Sequence, residues 1–435
     1  MKSRLWYLIT ALAVLSMLMA ACGTTSTPVA TTASTEAPAP VTTEAPAPVA
    51  TEAPTTVPPT AVPTTAPPIK VGASLPLTGD FSGPGTAAEK GYKLWIDMVN
   101  KAGGLLGRQV ELTVYDNASN PDTAVADYEK LITQDKVDLV VGPFSSKLVI
   151  PTSEVAAKYG YAFPEPAGGA PHVFDRGLTN IFFCQPAASD TQGIPFVDYV
   201  LALPEATRPK TFAVITQDDP FTLGVVQAME PLLTSAGLTE VLNEKYSPDT
   251  KDFSSLAAKV ADLNPDLILG GTMLEDSIGQ IKAYIQAGYQ PRGAFFTTGP
   301  SLPVEFDQAL GTATEGVFSA MSWFEASTTE TNPEFVAAYH AMYGSEPIAE
   351  DSANSFTVGQ VLQQAVDGTQ SVDNAKLITY MHATTFKTVV GPLAFNELGQ
   401  PKGSFMVLQW QGGKYVIVAP DFAKQTDAIW PKPNW

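Results

Sequence analysis

Two adjacent hydroxyls, Ser145 and Ser146, close the run Val137–Ser146, whose apolar residues Val137, Leu139, Val140 and Val141 read as a buried parallel strand. Gly142-Pro143 ends that strand, and the apolar spacing from Leu148 onward (Leu148, Val149, Val155, Ala156) is helical. A strand, a tight turn and hydroxyls at a helix start form an anion site, because the first N–H groups of the helix lack internal partners and its dipole favours negative charge. Ser146 and these amides are therefore expected to hold the anionic or acceptor end of a small ligand. The alternative for either serine is a plain N-cap.

Other candidates for chemistry are weaker. His172, His340 and His382 lie far apart and form no ligand-spaced pair; His172 follows the Gly168-Gly169 loop and is the one with a route to a cleft. Asp116, Asp122 and Asp127 resemble a carboxylate cluster, yet each has a cap or helix-face explanation, so no metal site and no cofactor is expected. No G-x-S-x-G elbow, H-E-x-x-H pair, C-x-x-C or Walker sequence occurs, and Pro84 interrupts the Gly83–Gly85 run where a phosphate cradle would start. The chain reads as a binder with no catalytic residues; a hydrolase is the weaker alternative.

The elements that must position Ser146 begin at Ile69, where a strand (Ile69–Leu75) leads through a Gly/Pro-rich loop, Thr78–Gly85, into a helix, Thr86–Lys101. Strands and helices then alternate: strand Gln109–Tyr115, helix Asp122–Gln134, the Val137–Ser146 stretch, and later strand–helix pairs from Thr211 to Thr297. Helices are expected at Pro333–Tyr343, Asp351–Asp367 and Val372–Thr384, and strands at Leu393–Asn396, Phe405–Gln409 and Tyr415–Val418. This is an α/β chain with two doubly wound, Rossmann-like parallel sheets. In such sheets ligands bind beyond the carboxyl ends of the strands. The loops there are Thr78–Gly85, Gly142–Ser146, Pro166–Pro171, Gln217–Gly224, Gly270–Asp276 and Thr298–Leu302, rich in Gly, Ser and Thr with aromatics at Phe81, Phe144 and Phe221. Facing one another, they make a hydrogen-bonding cleft with apolar walls, suited to a small polar or amphipathic molecule.

What precedes Ile69 is of another kind. Lys2 and Arg4 followed by the apolar Leu5–Met19 and then Ala20-Ala21-Cys22 read as a secretory signal with a lipobox over 1–22, making Cys22 the lipidated residue that anchors the chain to a bacterial membrane without spanning it. Residues 23–68 are a Thr/Pro/Ala/Glu tether in which TEAPAPV at Thr35–Val41 recurs at Thr43–Val49. Such a segment is too poor in large apolar groups to build a core, and in polyproline-II form it reaches on the order of 100 Å. A net charge of −19 without a basic patch argues against nucleic acid as a partner. Besides Cys22 only Cys184 is present, inside the apolar run Ile181–Cys184, and it reads as a buried small hydrophobe. A monomer tethered outside the cytoplasm is the expected state.

Ile69–Gly85 (IKVGASLPLTGDFSGPG), Asn100–Leu112 (NKAGGLLGRQVEL), the GPFSS turn, Ser189–Gly193 (SDTQG), Lys251–Leu256 (KDFSSL) and Gly391–Gln400 (GPLAFNELGQ) together resemble the branched-chain amino-acid (leucine/isoleucine/valine) type substrate-binding lipoproteins of ABC importers. The resemblance implies a type I periplasmic-binding-protein clamshell. Its lobe 1 would be 69–185 plus 322–390 and its lobe 2 would be 186–321 plus 391–435, joined by three crossovers. Ligand would lie between the lobes, and a membrane permease would receive it; a tethered sensor for a separate receptor is the alternative with the same architecture. It further implies ligand contacts from Ser145 and Ser146, from Phe81 and Pro84, from the small-residue loop Ala167, Gly168 and Gly169, and from Phe221, Gly271, Thr272 and Ser301. Gly169 stands where the family has a threonine, and Ser301 where it has the acid that pairs with an α-ammonium. Either Glu275 or Asp276 substitutes for that acid or the ligand is not an α-amino acid, since an ammonium buried without a carboxylate costs several kcal/mol.

Overall fold

The computed structural model describes residues 66–421 and 423–435. The expected signal segment, Cys22 and the repeat-bearing part of the expected tether lie outside these residues. Arg108 donates to the Pro67 and Pro68 carbonyls at 2.7 and 3.0 Å, which ties the start of the described chain to the first sheet. Among the described residues no helix is long and apolar enough to cross a membrane.

The first unit contains β1 (Ile69–Leu75), α1 (Ser82–Lys101), β2 (Val110–Asp116), α2 (Pro121–Thr133), β3 (Leu139–Val140), α3 (Ser146–Lys158), β4 (Phe163–Glu165), the short α4 (Pro171–Phe174) and β5 (Ile181–Phe183). Strands β2-β1-β3 form one parallel sheet and β4-β5 another. The Gly142 N–H donates to the Pro164 carbonyl at 2.9 Å and bridges the two. Helix α1 begins at Ser82, four residues before the expected Thr86, because Pro84 needs no N–H partner in a first turn. Asn120 caps α2 by accepting from the Thr123 N–H, as the turn chemistry of Asp116–Pro121 predicts.

The second unit runs through a 3-10 turn (Ser189–Thr191), α5 (Ile194–Ala202), β6 (Thr211–Gln217), α6 (Pro220–Ser235), β7 (Thr239–Tyr246), α7 (Ser254–Leu263), β8 (Leu267–Gly271), α8 (Leu274–Ala287), β9 (Gly293–Phe296), α9 (Pro303–Leu310) and β10 (Val317–Met321). The chain then makes α10 (Asn332–Tyr343), α11 (Glu350–Thr369), α12 (Asn374–Ala383), β11 (Phe386–Thr388), β12 (Gly391–Leu393), β13 (Met406–Gln411) and β14 (Lys414–Ala419). The second sheet is seven-stranded in the order β14-β13-β10-β9-β8-β6-β7; β6 to β10 are parallel, and β13 and β14 add on antiparallel. Both faces are covered: along β6, Phe212 and Val214 enter one core while Ala213 and Ile215 enter the other. The two doubly wound sheets expected from strand–helix alternation are present.

Some elements differ from the expectation. The strand expected at Leu393–Asn396 is instead β12, which pairs antiparallel with the unforeseen β11. Leu393 and Phe395 are drawn into the core of the first unit, and Phe395 makes an isolated bridge to Pro401. Helices α5 and α9 were not expected either; Pro195 and Pro303 at their N-terminal ends obscure the apolar period.

Helix α11 returns to the first unit and packs along α1. The contact is close at Gly91, where a Cβ would lie 2.1 Å from the Ser352 carbonyl oxygen, and the Ser352 hydroxyl donates to the Ala87 carbonyl at 2.7 Å. Gly91→Ala is expected to push these helices apart and lower stability by about 1–3 kcal/mol. Calorimetric unfolding measures this, and an unchanged Tm would show that the helices are free to separate.

Candidate functional site

Each candidate loop follows the carboxyl end of a strand, and the loops of the two sheets meet. Phe81, Ala124, Phe144 and Leu148 of the first unit form one apolar cluster with Met273 of the second, and Ala167 and Phe221 pack against it. Phe81 and Phe144 meet edge to face at 5.8 Å. The rim is charged: Lys251 reaches Asp80 across the units at 3.6 Å, and Asp80, Lys147, Asp219, Glu275 and Asp276 line a cavity of about 160 Å3 there.

The two serines have different jobs. Ser146, fully buried, accepts the Ala170 N–H at 3.1 Å and so holds the loop 166–170 against the start of α3. The buried Ser145 hydroxyl has no partner among the described residues. The Ser145 hydroxyl is thus uncommitted among the described residues, whereas the Ser146 oxygen is engaged as an acceptor and keeps its own O–H to donate. Neither hydroxyl caps α3 through its side chain.

Beneath the same loop lies Glu165, which the sequence reasoning passed over. It is fully buried at the end of β4, and one carboxyl oxygen accepts the N–H groups of Ala167 (2.8 Å) and Gly168. The other oxygen has no partner among the described residues. Burial pushes the carboxyl up to about 8 against the pull of the two N–H donors, so the group is mostly neutral at pH 7. Its signal in the sequence is an acid inside an apolar strand end, Phe163-Pro164-Glu165-Pro166.

Gly168 and Gly169 are glycine for packing reasons. A Cβ on Gly168 would sit 2.5 Å from Val149, and one on Gly169 would sit 2.6 Å from both Phe183 and the Cβ of Ser189. Ser189, from the SDTQG stretch, occupies the space a larger residue at 169 would need. Its hydroxyl is buried without a partner among the described residues, as is the side-chain oxygen of Gln192. These two join the candidate set.

From the second sheet, Asp219 caps α6 by accepting from Phe221 (2.8 Å) and Thr222, which fixes the Phe221 ring at the cluster. Gly271 lies where a Cβ would meet Thr216 Oγ1 at 2.0 Å, and its carbonyl accepts from Tyr246 at 3.3 Å. Thr272 is committed internally, with its N–H on Thr297 Oγ1 (2.8 Å) and its hydroxyl on the Thr298 carbonyl. Pro84 is buried in the first turn of α1. Glu275 is exposed at the rim, whereas Asp276 is buried and accepts from Gln217 (2.6 Å) and Tyr246 (3.1 Å). Burial raises Asp276 to about 6. Ser301 is buried, and its hydroxyl approaches the carboxyl of Glu350 at the start of α11.

The histidines stay outside this arrangement. His172 is exposed and pairs with Asp175 at 2.9 Å, and His340 pairs with Glu325. Asp116 accepts from Leu77, Thr78 and Ala118, and Asp127 from Ser74, which accounts for both carboxylates within the fold. Among the described residues no group of three His, Cys, Asp or Glu has the arrangement to hold a metal.

Two doubly wound units whose loops converge on an apolar, serine-edged seam describe a solute binder, and the family model described as periplasmic binding protein matches residues 68–414. The chain belongs to the periplasmic binding protein family. A Leu/Ile/Val-binding protein of Rhizobium johnstonii is 28% identical over 370 residues, spanning 80% of this chain and 93% of its own. A Leu/Ile/Val-binding protein homolog of Brucella suis is 27% identical over 378 residues, covering 84% and 94%. Among solved structures, a branched-chain amino-acid transporter substrate-binding protein of Streptococcus pneumoniae, in complex with isoleucine, superposes with a TM-score of 0.72 at 21% identity, covering 81% of this chain and all of that one. An R. palustris ABC-transporter solute-binding protein in complex with benzoate gives 0.71 at 22% identity, covering 82% and 99%. Membership of this family implies an extracytoplasmic location and a binding protein in place of an enzyme.

Ser145→Ala and Ser146→Ala are expected to separate. Loss of the Ser146–Ala170 bond costs about 1–2 kcal/mol of stability, whereas Ser145→Ala leaves stability within about 0.5 kcal/mol. Urea unfolding of both variants is the measurement, and equal stabilities would contradict the assignment. For Glu165, the unfolded chain sheds its proton near 4.5 and the fold near about 8, so between these values the native state holds more protons and stability falls as pH rises. E165Q is expected to flatten that slope and to raise Tm relative to the parent above about pH 8; parallel Tm–pH curves for the two proteins would show Glu165 ionising freely.

Proposed function

We propose that this chain is an extracytoplasmic solute-binding lipoprotein, anchored through Cys22 and raised from the membrane on the tether of residues 23–68. It captures a small polar or amphipathic molecule, an amino acid or a related amide or carboxylate, between its two lobes and delivers it to the permease of an ABC importer. One observation carries the reading: an apolar cluster built from both units includes Phe144, and the hydroxyl of the next residue, Ser145, is buried without a partner among the described residues. Apolar walls with a few aimed polar groups suit a ligand with a hydrophobic body and one hydrogen-bonding end. The names of the Rhizobium and Brucella relatives and the benzoate and isoleucine complexes support the same class of cargo. Ser145, Ser189, Phe81 and Phe221, with Gly169 of the loop at 166–170, are the contacts this reading assigns, and the chain acts as a monomer.

The rim pairs make closure sensitive to the ligand and to salt. Lys251–Asp80 links the units across solvent and is worth little alone, so the closed form depends on what fills the seam. Calorimetry and thermal shift across amino acids, amides and aliphatic or aromatic carboxylates are expected to give at least one ligand of micromolar or better affinity. Small-angle scattering then reports a smaller radius of gyration on binding. No binding across the three classes would overturn the proposal.

A further inference from the structure

The loop 166–170 is anchored by side chains along its whole length. Gln185 donates to the Pro166 carbonyl at 2.6 Å, Glu165 accepts from Ala167 at 2.8 Å and from Gly168, and Ser146 accepts from Ala170 at 3.1 Å. Gly169, a contact of the ligand reading above, lies between these anchors, and Ala167 packs on the apolar seam. Gln185 and Ser146 carry no charge. Glu165 is the anchor that titrates.

Among the described residues no cation pairs with this buried carboxyl. The titratable groups that face it are Tyr92 of α1, Tyr128 of α2 and Cys184 after β5, and burial raises all three above their ordinary values. Ser355 of α11 beside Tyr92, and Ser146 and Val149 of α3, do not titrate near neutrality. Both tyrosine hydroxyls are committed to the approach to the GPFSS turn, Tyr92 to the Gly142 carbonyl at 2.9 Å and Tyr128 to the Val141 carbonyl at 2.5 Å. Glu165 Oε1 is therefore left without a partner among the described residues. The packing around it is tight: a Cβ on Gly142 would lie 2.2 Å from that of Glu165, and one on Gly168 would lie 2.5 Å from Val149. A charge on the carboxyl needs water or a new donor, and neither reaches Oε1 unless the GPFSS turn or the loop 166–170 moves.

We propose that Glu165 is a positioning residue of the ligand site: its neutral carboxyl fixes the loop 166–170 through the Ala167 and Gly168 N–H groups, and its ionisation releases that loop and weakens ligand binding. Glu165 touches no ligand itself. The inference rests on the solute-binding reading above and adds a proton to it, held by the protein beneath the loop. Burial pushes the carboxyl up to about 8, so its neutral fraction falls about tenfold from pH 7 to pH 9. Because only the neutral form presents the loop, apparent affinity follows that fraction: it is full below about pH 7 and lost as pH rises through about 8.

The test uses the mature chain with benzoate and benzamide, which share a ring and keep their charge between about pH 7 and about pH 9. Calorimetry is expected to show wild type losing about fivefold or more in affinity for both compounds over that range. Glu165→Gln, whose amide oxygen still accepts the two N–H groups, is expected to lose under about twofold. Glu165→Ala keeps no acceptor and is expected to bind about tenfold more weakly than Glu165→Gln at neutral pH. Hydrogen exchange of residues 163–170, corrected for its intrinsic pH dependence, reads the loop without any ligand. Wild type is expected to lose protection there as pH rises, and Glu165→Gln to keep it. Equal protection in the two proteins at both ends of the range overturns the proposal, as does a flat wild-type affinity. A fall for benzoate alone overturns it too, because that is repulsion between charges and not release of a loop. If neither compound binds, the exchange result decides the role of Glu165, and the solute-binding reading falls only when the wider screen of amino acids, amides and carboxylates is silent as well.

Discussion

The close passage of α1 over α11 sets the geometry on which the rest depends. With no side chain at Gly91 to hold them apart, the two backbones approach until Ser352 bonds Ala87, and this fixes where both helices begin. The start of α1 places Phe81 on the apolar seam, and the start of α11 places Glu350 opposite Ser301. From the same helix the Tyr92 hydroxyl donates to the Gly142 carbonyl at 2.9 Å, holding the turn that ends in Ser145. One helix thereby registers three loops that are distant in the chain. A small-residue contact is stiff because it leaves nothing to rotate away, so the loops inherit its precision.

The seam itself balances two costs. Apolar surface contributed by Phe81, Phe144, Leu148, Met273 and Phe221 holds these loops together, at about 25 cal/mol for each Å2 removed from water. Against it stand buried polar groups without partners among the described residues: Ser145, Ser189, Gln192 and one oxygen of Glu165. Each such group carries a desolvation cost that a hydrogen-bonding partner would offset.

Much of this was legible in the sequence. Alternating strand and helix patterns located the two parallel sheets, and the carboxyl-end rule located the loops. The GPFSS turn was read as a site, but the roles of its serines were not, because the Ser146–Ala170 bond depends on a loop 24 residues away. Glu165 escaped notice because an acid in a short apolar strand gives no periodic signal. Local pattern reveals elements; it does not reveal which element ends converge. The strand missed at β11 and misplaced at Leu393 has the same origin, since short strands paired within a lobe depend on contacts with the first core.

The crowding around Gly169 has an evolutionary reading. Adding a side chain there brings it within 2.6 Å of Ser189, which belongs to the segment that follows β5 into the second unit. Phe183 crowds the same place at 2.6 Å, so a side chain at 169 requires both Ser189 and Phe183 to give way. A lineage that enlarges this loop at 169 must therefore change more than one position, because neither neighbour alone supplies the room.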